Sequence, residues 1–80
     1  MTVVVYSNPN CVQCEQTKKY LTLKEIPFES KMIADSPEVY ELIEAKGYKS
    51  APIVVAGDAS WSGFKLPELA ALAERYSQED

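Results

Sequence analysis

The stretch "SNPNCVQCEQTKKYL", residues 7–21, decides the reading of this chain. It contains both cysteines, Cys11 and Cys14, separated by Val12 and Gln13. Before it, Val3, Val4 and Val5 form a β-branched run sufficient for one buried strand. "SNPN" breaks that run, since Asn and Pro favour turns. Asn10 is suited to cap a helix, with Gln13 three residues on in a loose capping box. From Cys11 onward no Gly or Pro interrupts "CVQCEQTKKYLTLK", and Cys14, Thr17, Lys18 and Leu21 fall on one helical stripe. Cys11 is therefore expected where the first strand hands over to the first helix, in that helix's first turn.

The rest of the chain continues the alternation. Pro27 ends the first helical unit, and "PFESKMI" alternates well enough for a second strand. Asp35 or Ser36 followed by Pro37 starts a helix, Val39, Leu42 and Ile43 give it an apolar face, and Gly47 is its C-cap. "APIVVAGDASW" gives strand, Gly57-Asp58 turn, strand. Leu69, Leu72, Ala73 and Tyr76 repeat at helical spacing in a last helix entered through Pro67, and the acidic tail 77–80 is expected to fray. The order β-α-β-α-β-β-α describes a single α/β domain over residues 1–76. Its first β-α-β is expected to be a parallel crossover and its hairpin antiparallel.

Eighty residues, nearly half of them apolar, can form one compact core. A disulfide between positions three apart closes too small a loop to stabilise the fold appreciably. The net charge of −4, without a basic stripe or aromatic-basic interleaving, argues against nucleic-acid binding. "MTVVVY" lacks the basic leader of a signal peptide, and no stretch reaches membrane-span length, so the expected compartment is the cytosol, with no membrane partner. In a reducing compartment a close cysteine pair reads as catalytic or metal-binding.

The placement of the pair weighs among these uses. A thiol at a helix N-terminus faces unpaired backbone N–H groups and the positive end of the helix dipole, which favour the thiolate. Cys11 is thus the expected nucleophile of disulfide exchange, and Cys14, on the same face but deeper, the resolving thiol. Zinc would need about four ligands, and the chain has one cysteine pair and no histidine, so carboxylates or a second copy would have to complete the site. No metal site is expected from this set. Two buried sulfurs acting as small hydrophobes is the remaining structural alternative.

On these residues the sequence resembles the thioredoxin-fold family, and more narrowly the glutaredoxins. "VVVYSNPNCVQC" is similar to their strand-loop-dithiol opening, and "SAPIVV" to the stretch holding their cis-proline. The resemblance implies a four-stranded mixed sheet flanked by three helices, with Ala51 and Pro52 opposite the dithiol, docking an extended substrate. "CVQC" together with "WSGF", Trp61 to Phe64, resembles the NrdH-type redoxins. That resemblance implies a reversible Cys11–Cys14 disulfide and no bound cofactor. It also implies electrons from NADPH through thioredoxin reductase, and delivery to the large subunit of class Ib ribonucleotide reductase.

Trp61, Ser62, Gly63 and Phe64 become candidate partner-binding residues, with Val12, Gln13 and Lys65 in support. Trp61, Phe64 and Pro52 are expected to form an exposed apolar patch for a protein partner, with ordinary packing against the last helix as the alternative for Trp61. Glutathione-using glutaredoxins carry a Gly-Gly and an Asp pair at the start of the last helix and often a Lys three residues before the first cysteine. This chain has "SWSGFKLPEL" and Asn8 in those places, so glutathione is not expected as a partner. The NrdH type usually continues with Arg-Pro and an acid after "WSGF"; here Lys65-Leu66-Pro67-Glu68 displaces the Pro and the acid by one. A lysine also lacks arginine's planar fork. The alternatives are a glutathione-dependent glutaredoxin, a non-catalytic metal-binding module, and the arsenate-reductase-like branch of the fold, whose chains are usually longer and whose anion site has no match here.

Overall fold

A computed structural model describes residues 2–78, with the side chain of Gln78 left aside. The elements run β1 (Val3–Ser7), α1 (Val12–Leu23), β2 (Glu29–Met32), a short 3-10 turn (Ile33–Asp35), α2 (Pro37–Lys46), β3 (Ile53–Ala56), β4 (Ala59–Ser62) and α3 (Leu66–Gln78). The order is the expected one, apart from the 3-10 turn. The helix α3 takes in Ser77 and Gln78, the first two residues of the expected tail; Glu79 and Asp80 lie outside the described residues.

One four-stranded sheet has the order β2-β1-β3-β4. Strand β1 pairs parallel with β2 (Val5 opposite Ser30) and antiparallel with β3 (Tyr6 opposite Ile53), and β3 pairs antiparallel with β4 (Ile53 opposite Ser62). The period-2 alternation of strands explains the two cores. On one face Val3, Val5, Val54, Ala56 and Trp61 meet Leu21 of α1 and Leu69 and Leu72 of α3. On the other, Tyr6 and Ile53 meet Val39 of α2, with Val4, Leu42, Ile43 and Val55 packed around them. Burying a side chain such as Leu21 or Leu69 fully contributes about 1.5–3 kcal/mol each.

Helix boundaries follow local chemistry, with two corrections. Cys11, not Asn10, is the N-cap of α1, so it precedes the first turn; Asn10 instead takes a left-handed conformation (φ 55°) that Asn tolerates. The helix ends at Leu23, four residues before Pro27, through Glu25 in the left-handed region (φ 57°). Helix α2 starts after Ser36 and stops at Gly47, whose φ of 69° suits only glycine well. The Ser36 hydroxyl donates back to the Met32 carbonyl (2.7 Å) rather than capping α2.

The registers position the site. Because β3 is antiparallel to β1, its start lies beside the end of β1, and Ile53 opposite Ser62 brings the end of β4 there too. The loop to Cys11, the Ala51-Pro52 pair and the turn after Ser62 therefore meet at one end of the sheet.

Candidate active site

Cys11 and Cys14 are joined by a disulfide, with Cα atoms 5.2 Å apart. The Cys11 sulfur caps α1 by accepting the Cys14 backbone N–H at 3.1 Å. A sulfur in that position faces the helix's unpaired amides, an environment that favours negative charge once the bond is reduced. Cys11 is partly exposed, whereas Cys14 is fully buried with Thr17 and Leu21, two of the three other members of its helical stripe. The Thr17 hydroxyl satisfies itself by donating to the Gln13 carbonyl (2.8 Å).

Opposite the disulfide, the Ala51-Pro52 bond is cis. The Cys11 sulfur lies 3.8 Å from the Ala51 carbonyl oxygen. In the disulfide that sulfur has no proton to donate, so the contact is one of proximity; in the dithiol the Cys11 thiol can donate across it. Pro52 is buried, and its carbonyl accepts the Gly63 N–H at 2.8 Å. Gly63 has φ 84°, a conformation open to glycine and strained for other residues. A polar ladder ties β4 to the segment before Pro52. Tyr48 Oη and Ser60 Oγ are 2.8 Å apart, and Ser62 Oγ donates to the Ser50 carbonyl (2.9 Å) while accepting its N–H (3.3 Å).

The expected apolar patch is not present in that form. Trp61 is only 4% exposed, packed in the α1/α3 core, and Pro52 is buried; Phe64 alone of the three is partly exposed. The period of β4 explains it: Trp61 points to the face covered by α1 and α3, while Ser60 and Ser62 point to the other. The exposed apolar side chain beside Cys11 is Val12, at 70%. Lys65 is exposed, and its carbonyl accepts the Leu69 N–H as α3 begins. Lys18, half-buried, pairs with Glu15 at 3.2 Å. Tyr6 belongs to the α2-side core and donates to Glu38 (3.1 Å).

Gln13 has a larger part than its sequence position suggests. Its side-chain oxygen accepts the Phe64 N–H at 2.8 Å, tying α1 to the turn after β4 across fifty-one positions of chain. No local signal could have shown this pairing. Among the described residues, no group of three or more potential His, Cys, Asp or Glu ligands gathers at one place.

With this geometry in view, comparison with known proteins is decisive. A family profile described as glutaredoxin matches residues 3–61. The glutaredoxin-like protein NrdH of Lactococcus lactis subsp. lactis is 42% identical over 71 residues, covering 89% of this chain and 99% of the relative. The chain belongs to the glutaredoxin family, in its NrdH-type branch. The NrdH protein of Escherichia coli K12 is 38% identical over 65 residues, covering 81% of this chain and 80% of the relative. A solved structure of the NrdH-redoxin from Escherichia coli superposes with a TM-score of 0.80 at 36% identity, over 90% of this chain and 95% of that one. That protein is described as glutaredoxin-like with a thioredoxin-like activity profile. Fold and family are thus those that "CVQC" and "WSGF" implied, and the chain is a thiol-disulfide oxidoreductase whose redox group is the Cys11–Cys14 disulfide. No helix among the described residues is long and apolar enough to cross a membrane.

Proposed function

We propose that this redoxin is a cytosolic electron carrier whose reduced form delivers two electrons to a protein disulfide. The Cys11 thiolate attacks one sulfur of the partner's disulfide, forming a mixed disulfide and releasing the other sulfur as a thiolate. The Cys14 thiolate then attacks the Cys11 sulfur, which closes the Cys11–Cys14 disulfide and frees the partner as a dithiol. The single observation behind this division of labour is the burial asymmetry: Cys11 is accessible, and Cys14 is fully buried one turn behind it.

An extended partner segment docks on the Ala51 backbone beside Pro52, flanked by Val12 and Phe64. Ser62 and Gly63 support that segment from beneath, and Trp61 supports them from the core. The disulfide is the only redox group needed, with no metal or bound cofactor. Electrons come from NADPH through thioredoxin reductase, and the recipient is the large subunit of class Ib ribonucleotide reductase, in keeping with the NrdH-type relatives.

The test is a comparison of electron sources. NADPH consumption with a protein disulfide is followed in two reactions, one with thioredoxin reductase and one with glutathione and glutathione reductase. Turnover confined to the thioredoxin reductase reaction is expected; turnover confined to the glutathione reaction would replace this reading with that of a glutathione-dependent glutaredoxin.

A further inference from the structure

The last residue of β4 and the two that follow it bond to three different partners: Ser50 and Pro52, on either side of Ala51, and Gln13, between the two cysteines. Ser62 holds both backbone groups of Ser50, the Gly63 N–H donates to the Pro52 carbonyl, and the Phe64 N–H donates to Gln13 Oε1. The first two ties bind the turn to the segment bearing Pro52. The third binds the same turn to α1, the helix that carries both cysteines. Among the described residues no other side-chain hydrogen bond joins α1 to this turn. The approach is close as well: a Cβ on Gly63 would sit 3.2 Å from Gln13 Oε1.

We propose that Gln13 is a positioning residue for disulfide exchange with protein substrates. It acts as a clasp that makes the Pro52 segment and the turn after β4 move as one body with the dithiol helix. Without it, the turn keeps its bonds to Ser50 and Pro52, so these two segments stay together while their tether to α1 is lost. What changes is the placement of the Ala51 backbone, now 3.8 Å from the Cys11 sulfur, and not the helix-end environment of that sulfur. A protein substrate must engage Cys11 and the Ala51 backbone together and depends on that placement. A small aromatic disulfide meets Cys11 alone and does not.

The test compares wild type, Gln13→Ala and Gln13→Glu. Position 13 is exposed and lies in the first turn of α1, where Ala and Glu are both well tolerated, so each variant should fold. With dithiothreitol as reductant, reduction of insulin is compared with direct reduction of 5,5′-dithiobis(2-nitrobenzoate). One neutral hydrogen bond of typical net strength corresponds to roughly a fivefold effect. Gln13→Ala should lower kcat/KM for insulin by about that factor, through KM, and leave the small disulfide within about twofold. Hydrogen exchange of the Phe64 amide should accelerate by a similar factor.

Gln13→Glu keeps an acceptor of the same reach, and should restore both the insulin-to-small-disulfide ratio and Phe64 protection. Unchanged Phe64 exchange in Gln13→Ala would overturn the clasp. Equal losses for both substrates, or no loss for insulin, would overturn its role in positioning. Because dithiothreitol supplies the electrons, these outcomes are independent of which reductase serves the protein.

Discussion

Replacing Gly63 with Ala should cost more stability than replacing Gly47 with Ala, and the difference measures the clasp. Both glycines have positive φ, 69° at Gly47 and 84° at Gly63. A Cβ in that region costs about 1–2 kcal/mol. At Gly47 no described residue beyond its chain neighbours lies within 4 Å of the added carbon, so Gly47→Ala should show the backbone cost alone. At Gly63 the carbon would lie 3.2 Å from Gln13 Oε1, which must give by a few tenths of an ångström. That oxygen is held at 2.8 Å by the Phe64 N–H, so yielding weakens a hydrogen bond whose net contribution is about 0.5–1.5 kcal/mol. Gly63→Ala should therefore cost about 1 kcal/mol more than Gly47→Ala.

In a domain of this length that excess lowers the melting temperature by roughly a further 4–8 °C. Urea unfolding of both variants, with unchanged slopes, gives the difference directly. The double variant Gln13→Ala, Gly63→Ala removes the obstructing oxygen beforehand. Its cost should fall short of the sum of the single costs by about 0.5–1.5 kcal/mol. Equal costs for the two glycine variants, or strict additivity in the double variant, would mean that Gln13 does not hold the turn at Gly63.

Other expectations concern chemistry and pH. Cys14→Ser should trap the mixed disulfide of Cys11 with a protein substrate, visible as a dithiothreitol-sensitive adduct by mass spectrometry, and should abolish multiple turnover. The Glu38 carboxyl is held below its ordinary value of 4.5, first by its own backbone N–H; desolvation opposes this, and the Tyr6 hydroxyl and Lys31 add to the lowering. A lowered folded-state pKa stabilises the protein above pH 4.5, and this contribution is lost as pH falls through the folded value. Tyr6→Phe should therefore move the Glu38 titration, followed by carboxyl NMR shifts, back toward 4.5. The Ser7 hydroxyl is buried without a hydrogen-bond partner among the described residues, so Ser7→Ala should leave stability unchanged or raise it by up to about 1 kcal/mol in thermal unfolding.

Features set by local chemistry were legible from the sequence. Pro37 and Gly47 bounded α2, Gly57-Asp58 turned the hairpin, and Leu69, Leu72, Ala73 and Tyr76 marked the buried face of α3. The cap of α1 was misplaced by one residue because Asn10 fits either a cap or a left-handed turn, and a sulfur took the capping role from it. The short turn Ile33–Asp35 carries no periodic signal. Trp61 could be read either as part of a partner-contact motif or as packing against the last helix, and the alternation of β4, which sets it opposite Ser60 and Ser62, decides for the helices. The bonds of Gln13 to Phe64 and of Ser62 to Ser50 join residues far apart in the chain, and only the sheet register brings them together.

The claim on which the mechanism depends is that Cys11 presents the reactive sulfur and Cys14 is withheld. Brief alkylation of the fully reduced protein with limiting iodoacetamide near neutral pH, followed by peptide mapping, tests it most directly. A single adduct on Cys11 is expected, with Cys14 modified only after denaturation. Alkylation of Cys14 first, or of both cysteines at equal rates, would contradict it.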